Sequence, residues 1–273
     1  MATLAVDGDD LWYDDTGDTA RPIVFLHGAW SNADAWDQQW KAFGSEYRVI
    51  RMDLRGHGRT GPTEPRRYTV ELFADDLEAL VETLDLEAPI LCGLSMGNIV
   101  IQEFLDRHPD RAAGAVLCGP ARSMPPIELP AATKLFGPPP AMGTSLSLTG
   151  SKQTFRAMLR SIRAAHGGPW LAVDPDVREQ AIEAAGEMAT GEYRKVFRAL
   201  YAYDPPTLSH VRTPTMAIYG RHESPLVKRQ GRRAVDEVGD GPVVAVDDAA
   251  HLVNLDNPAG FNSAVNEFLT RYP

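Results

Sequence analysis

Apolar residues in this chain gather in short runs, at 22–26, 47–52, 88–92, 113–118, 215–219 and 242–246, the second interrupted by Arg48 and Arg51. A strand with one solvated face alternates apolar and polar positions; a run that is apolar throughout needs cover on both faces. These six runs therefore predict buried parallel strands. Residues 2–16 behave differently: they alternate around Asp7-Gly8-Asp9-Asp10, which predicts an opening hairpin with its turn at those four residues. Helical spacing fills the intervals near 33–43, 69–84, 97–108, 226–238 and 258–270. Eight strands alternating with helices describe an α/β protein with a mostly parallel eight-stranded sheet covered on both faces.

The alternation breaks once. From Ser123 to His210 no β-run occurs, and the stretch opens on Pro125-Pro126 and Pro138-Pro139-Pro140. Helical segments are expected near 152–165, 174–189 and 191–203, the second started by Asp174 as cap and Pro175 at the first helical position. The expected division is a core of residues 1–122 and 211–273, with a helical lid, 123–210, inserted after the sixth strand. The Pro- and Gly-rich 136–150 stretch is the expected mobile part. A chain of 273 residues with 44% hydrophobic content accommodates one such domain with its insertion.

Composition narrows the function. A formal charge of −10 argues against a phosphate-backbone partner, so no nucleic acid is expected. No run of about 18 apolar residues occurs, and the N-terminus lacks a basic stretch followed by an apolar one. These features predict no membrane partner and a cytoplasmic protein. Cys92 and Cys118 fall within apolar runs, where a free thiol acts as a small buried hydrophobe. With no Cys/His spacing suited to a metal, neither metal nor cofactor is expected.

The chemistry centres on Gly93-Leu94-Ser95-Met96-Gly97, directly after one apolar run and before a helical one. A serine between two glycines at a strand-to-helix turn is pushed outward on strained backbone. Its hydroxyl needs a histidine to take the proton and a carboxylate to orient that histidine, following it in the order serine, acid, histidine. His251, after the last run in Val246-Asp247-Asp248-Ala249-Ala250-His251, is the expected base. Glu223, three residues past Gly220 at the end of the 215–219 run, is the expected acid; Asp247 and Asp248 stand too near His251 along the chain to reach beneath its ring. Oxyanion donors are expected from the amides of Met96 and Ala29, with His27 a structural hydrogen-bonding residue. Trp30, Leu252 and the lid aromatics Phe155, Trp170 and Tyr201 are the expected substrate-binding walls.

Taken with His27-Gly28, Asp53-Leu54-Arg55-Gly56-His57-Gly58 and Asn257-Pro258 after His251, the motifs resemble those of α/β-hydrolase-fold enzymes. The local likeness is to the carboxylesterase and 3-oxoadipate enol-lactonase branch. The resemblance implies a serine hydrolase of a carboxylic ester or lactone, a small-molecule substrate, and a loop-shaping role for Asp53 and the Arg55–Gly58 turn. Two departures stand out: Glu223 where relatives commonly have aspartate, and Asn98 where a further glycine is common. Alternatives of the same fold are a carbon–carbon bond hydrolase of the meta-cleavage type, a perhydrolase or cofactor-free haloperoxidase, and a non-catalytic small-ligand receptor. Ser95 at the elbow excludes the aspartate-nucleophile dehalogenases and epoxide hydrolases. Arg122 or Arg221 would serve a substrate carboxylate if the substrate has one.

Overall fold

A computed structural model describes residues 2–17, 20–124, 140–239 and 241–272. Eight strands form one sheet: β1 (Ala2–Val6), β2 (Asp9–Asp15), β3 (Pro22–Leu26), β4 (Arg48–Met52), β5 (Ile90–Leu94), β6 (Gly114–Cys118), β7 (Thr215–Gly220) and β8 (Val243–Val246). Their order across the sheet is β1-β2-β4-β3-β5-β6-β7-β8. β2 is antiparallel to β1 and β4, and every later pairing is parallel. Strands β5, β6 and β7 are buried at every position, whereas β1 and β8 are partly open edges. Unbroken apolar runs thus occupy the centre of the sheet, where both faces are covered.

Nine α-helices occur among the described residues: α1 (Asp37–Phe43), α2 (Val70–Thr83), α3 (Met96–Arg107), α4 (Pro140–His166), α5 (Pro175–Glu187), α6 (Thr190–Ala202), α7 (Pro225–Val238), α8 (Val253–Asp256) and α9 (Pro258–Arg271). Start signals written in the sequence act locally. The Thr69 hydroxyl accepts from Leu72 N at the head of α2, Asp174 from Asp176 N at α5, and Asn257 from Gly260 N at α9. The Phe25 and Trp36 rings meet at 4.8 Å beneath β3, with Phe261 of α9 packed on the far side of Trp36.

Several expected boundaries shift. The hairpin turn shortens to Asp7-Gly8, at φ 49° and 89°, because a two-residue turn with both φ positive matches the strand twist. Asp9 is thereby drawn into β2, where it faces the Arg55 guanidinium. The 88–92 run begins its strand later, at Ile90, and continues through Gly93 and Leu94 into the serine motif. Helix α4 starts at residue 140, earlier than the expected 152, and bends at Gly150, φ 77°. Of the 136–150 stretch, residues 136–139 lie outside the described residues and 140–149 are helical up to the bend at Gly150. Helices α4, α5 and α6 follow β6 and precede β7, and no strand interrupts them among the described residues.

Candidate active site

Parallel strands deliver their C-terminal ends to one edge of the sheet, and the chemistry-bearing loops start there. Strand β5 ends at Leu94, and Ser95 takes φ 52°, ψ −107° before α3 begins at Met96. A non-glycine residue in that region is strained, and the surroundings over-determine it. A Cβ at Gly93 would stand 2.4 Å from the Gly97 carbonyl carbon, and one at Gly97 would stand 2.3 Å from Leu26 O. Only hydrogen fits at either position, so the two glycines let β5, α3 and β3 close around the serine. Ser95 N donates to Cys118 O (2.8 Å), and Asn98 Nδ2 donates to Cys118 O and Gly119 O (3.3 and 3.1 Å). The asparagine that departs from the family pattern therefore ties the first turn of α3 to the end of β6.

Strands β7 and β8 bring the other two groups together. Arg221 N donates to Val246 O and His222 N to Ala249 O, at 2.8 and 2.9 Å, lacing the loop after β7 to the loop after β8. Across this lacing His251 Nδ1 donates to Glu223 Oε2 at 2.6 Å, both side chains buried. The other carboxylate oxygen, Oε1, accepts from Ser224 N (2.6 Å) and Trp170 Nε1 (2.9 Å). The longer arm of glutamate is thus held at both oxygens. Ser95 and His251 line one cavity, and among the described residues no hydrogen bond joins their side chains.

The loop after β3 is shaped from beneath by two histidines. His27 Nε2 accepts from Leu54 N (3.0 Å) while Nδ1 donates to Gly28 O (2.8 Å); His57 Nε2 accepts from Trp30 N (3.1 Å) while Nδ1 donates to Arg55 O (2.8 Å). Each ring must therefore be neutral, and burial lowers both from the usual imidazole range, His57 strongly. Asp53 accepts from Ala33 N and Arg59 N, and Arg55 is held by Asp76 and Asp9. Trp30 consequently sits at φ 59°, its ring stacked on Tyr193 at 4.6 Å. The amides of Ala29 and Met96 donate to no group among the described residues. Both residues line the cavity beside Ser95.

The cavity measures about 370 Å³. Trp30, Leu252, Phe155, Trp170 and Tyr201 all line it, joined by residues that the sequence reading did not single out, notably Met124, Met142, Met158, Leu171 and Phe197. No Asp, Glu, Lys or Arg lines it among the described residues. Arg122 does not reach it: its guanidinium is buried against Glu237 at 2.8 Å. Arg221 lies on the surface, paired with Asp247. The expectation that either would receive a substrate carboxylate fails, because each is already neutralised elsewhere. Both cysteines are free and buried, and burial pushes their thiols well above the usual range.

A family model described as the alpha/beta hydrolase family matches residues 23–264, and the chain belongs to that family. It is 23% identical over 274 residues to 3-oxoadipate enol-lactonase 2 of Acinetobacter baylyi, covering 99% of this chain and 97% of that protein. A non-heme chloroperoxidase of Kitasatospora aureofaciens is 40% identical over 123 residues, 44% of this chain and 43% of the relative. The chain thus spans less than half the length of that chloroperoxidase. The crystal structure of the enol-lactonase from Burkholderia xenovorans superposes with a TM-score of 0.80 at 24% identity, over 98% of this chain and 99% of the other, a likeness of fold. No helix among the described residues is long and apolar enough to cross a membrane.

Proposed function

We propose that this protein is a serine hydrolase of neutral carboxylic esters or lactones with an apolar acyl group. One observation supports the reading above the rest: a strained serine opens onto an apolar cavity shared with a histidine whose far nitrogen is bound by a buried glutamate. In the proposed reaction Ser95 Oγ attacks the carbonyl carbon and its proton passes to His251 Nε2. Glu223 holds the ring and stabilises the imidazolium. The amides of Ala29 and Met96 receive the oxyanion. His251 then protonates the leaving oxygen, the acyl group remains on Ser95, and water activated by His251 releases the acid. Helices α4 and α6, from the segment inserted between β6 and β7, serve as the cap over the acyl group.

The uncharged lining directs the choice of substrate. A carboxylate left in this cavity would lose its hydration without gaining a cationic partner among the described residues, so neutral lactones and esters are favoured over acidic ones. A panel of p-nitrophenyl esters and lactones of varied length and charge, run against wild type and Ser95→Ala, tests this. Turnover confined to neutral acyl groups and abolished in Ser95→Ala is expected. Full activity of Ser95→Ala, or preference for an acidic lactone, overturns the assignment.

A second reading draws on the chloroperoxidase likeness. Hydrogen peroxide in place of water at the acyl-enzyme would yield a peracid, which then oxidises halide in solution. Halogenation supported by acetate and peroxide, and absent in Ser95→Ala, is the expected sign.

A further inference from the structure

The geometry points to Trp170 as a positioning residue for the acid and base, one that makes their alignment depend on the segment inserted between β6 and β7; this rests on the hydrolase reading above. Trp170 lies between α4 and α5, 53 positions from Glu223, yet its indole Nε1–H donates to Glu223 Oε1 at 2.9 Å. Its ring stacks on the His251 imidazole, centroids 4.6 Å apart and planes 29° from parallel. Its carbonyl accepts from His251 N (3.1 Å), and the next carbonyl, Leu171 O, accepts from Leu252 N (2.9 Å). Asp256 completes the seam: it accepts from Val173 N, Asp174 N and Ala250 N. One short stretch of the insertion therefore touches the carboxylate, the imidazole face and the backbone of the base.

Each contact has a separate physical effect. A glutamate has one more rotatable bond than an aspartate, and a carboxylate free at Oε1 would swing about the bond to its ring partner. The indole donor, with Ser224 N, removes that freedom. The indole face lies against the ring that becomes cationic when Ser95 yields its proton, an arrangement that favours the charged form. On its outer side Trp170 shares one cleft with Arg221 and His222 and another with Arg156, Arg160, Arg163 and Arg178; none of these bonds the indole N–H. Glu223 is its partner.

Trp170→Phe removes the donor and retains a stacked ring. The expected result is a fall in kcat of about tenfold with KM within about twofold, since the aromatic wall of the cavity is kept and the donor that aligns Glu223 is lost. The acid limb of kcat/KM should move to higher pH, because a Glu223 freed of its donor stabilises the imidazolium more. In a Glu223→Gln background Trp170→Phe should add nothing, as two residues acting through one contact are non-additive. In the wild type, the Trp170 indole N–H resonance should shift with pH at the midpoint of that acid limb. A kcat and pH profile unchanged in Trp170→Phe, a change confined to KM, additivity with Glu223→Gln, or a pH-invariant indole resonance overturns the proposal. The resonance needs no variant and no turnover. Failure of a fluorophosphonate to label Ser95 would instead sink the hydrolase reading and leave the resonance test standing.

Discussion

The sheet edge and the inserted helices build the same cavity by different means. At the sheet edge, backbone does the positioning: a strained φ at Ser95, glycines with no room for a Cβ, and loops laced by main-chain hydrogen bonds. The insertion contributes walls, through Phe155, Met158, Phe197 and Tyr201, and, through Trp170, a side-chain hydrogen bond to Glu223. Backbone-defined geometry tolerates few substitutions because each atom has a hard neighbour, whereas side-chain walls can exchange one apolar group for another at modest cost. On the proposed reading, chemistry is therefore concentrated in the sheet edge and substrate choice in the insertion.

That division can be broken most sharply at Ser95. Ser95→Ala should lower kcat by about 10⁵ or more while the chain stays folded, as judged by circular dichroism and ester turnover. Retained turnover would move the chemistry elsewhere. Glu223→Gln keeps the shape but offers His251 the wrong hydrogen-bonding group, so kcat should fall by about 10³ to 10⁴ in steady-state kinetics. A loss under tenfold would make Glu223 a bystander.

A third test probes the sheet edge through pH. His27 and His57 stay neutral in the fold, so below the unfolded imidazole value of about 6.5 the unfolded chain takes up protons that the folded one refuses. Their stabilisation is complete above that pH and is lost as pH falls. Asp76 opposes them: burial pushes its carboxyl up to about 7 against the pull of Arg55, so the folded state gains a proton over the same window. Two lowered rings act against one raised carboxyl, so stability should fall as pH drops below about 6.5. Urea midpoints between pH 7.5 and 5.5 measure it, and His57→Gln should flatten the slope. A midpoint constant across that range in the wild type would contradict the neutral-ring assignment.

The smallest expected effect sharpens the insertion's share. Phe155→Ala opens the wall against which an acyl chain would lie, so the preference for hexanoate over acetate, measured as a ratio of kcat/KM, should drop about fivefold with acetate turnover little altered. An equal loss for both esters would place Phe155 in the chemistry.

Particular residues show how far the chain could be read before its coordinates. The buried strands β3 to β7 announced themselves as mainly apolar runs because parallel strands covered on both faces carry few polar positions, Arg48 and Arg51 of β4 among them. The serine motif was legible because its glycines stand two residues to either side, and Asp174 because a helix cap acts on its own next turn, whereas the caps at Thr69 and Asn257 were not singled out. Glu223 and His251 were named from chain order, but the bond of 2.6 Å between them is a meeting of two loops. The bend of α4 at Gly150 and its early start at residue 140 were missed, since a Gly- and Pro-rich stretch reads as irregular until packing stabilises it.

Local physics, then, is what the amino-acid order settled alone: burial periodicity, caps, the strained turn and the residue types able to transfer a proton. Everything that depends on distant segments meeting awaited the fold. No spacing in the chain announces that Trp170 would reach Glu223 or that Arg122 would be claimed by Glu237. Hydrogen bonds and ion pairs act over a few ångströms of space, and separation along the chain does not measure that distance until the sheet has brought its strand ends together.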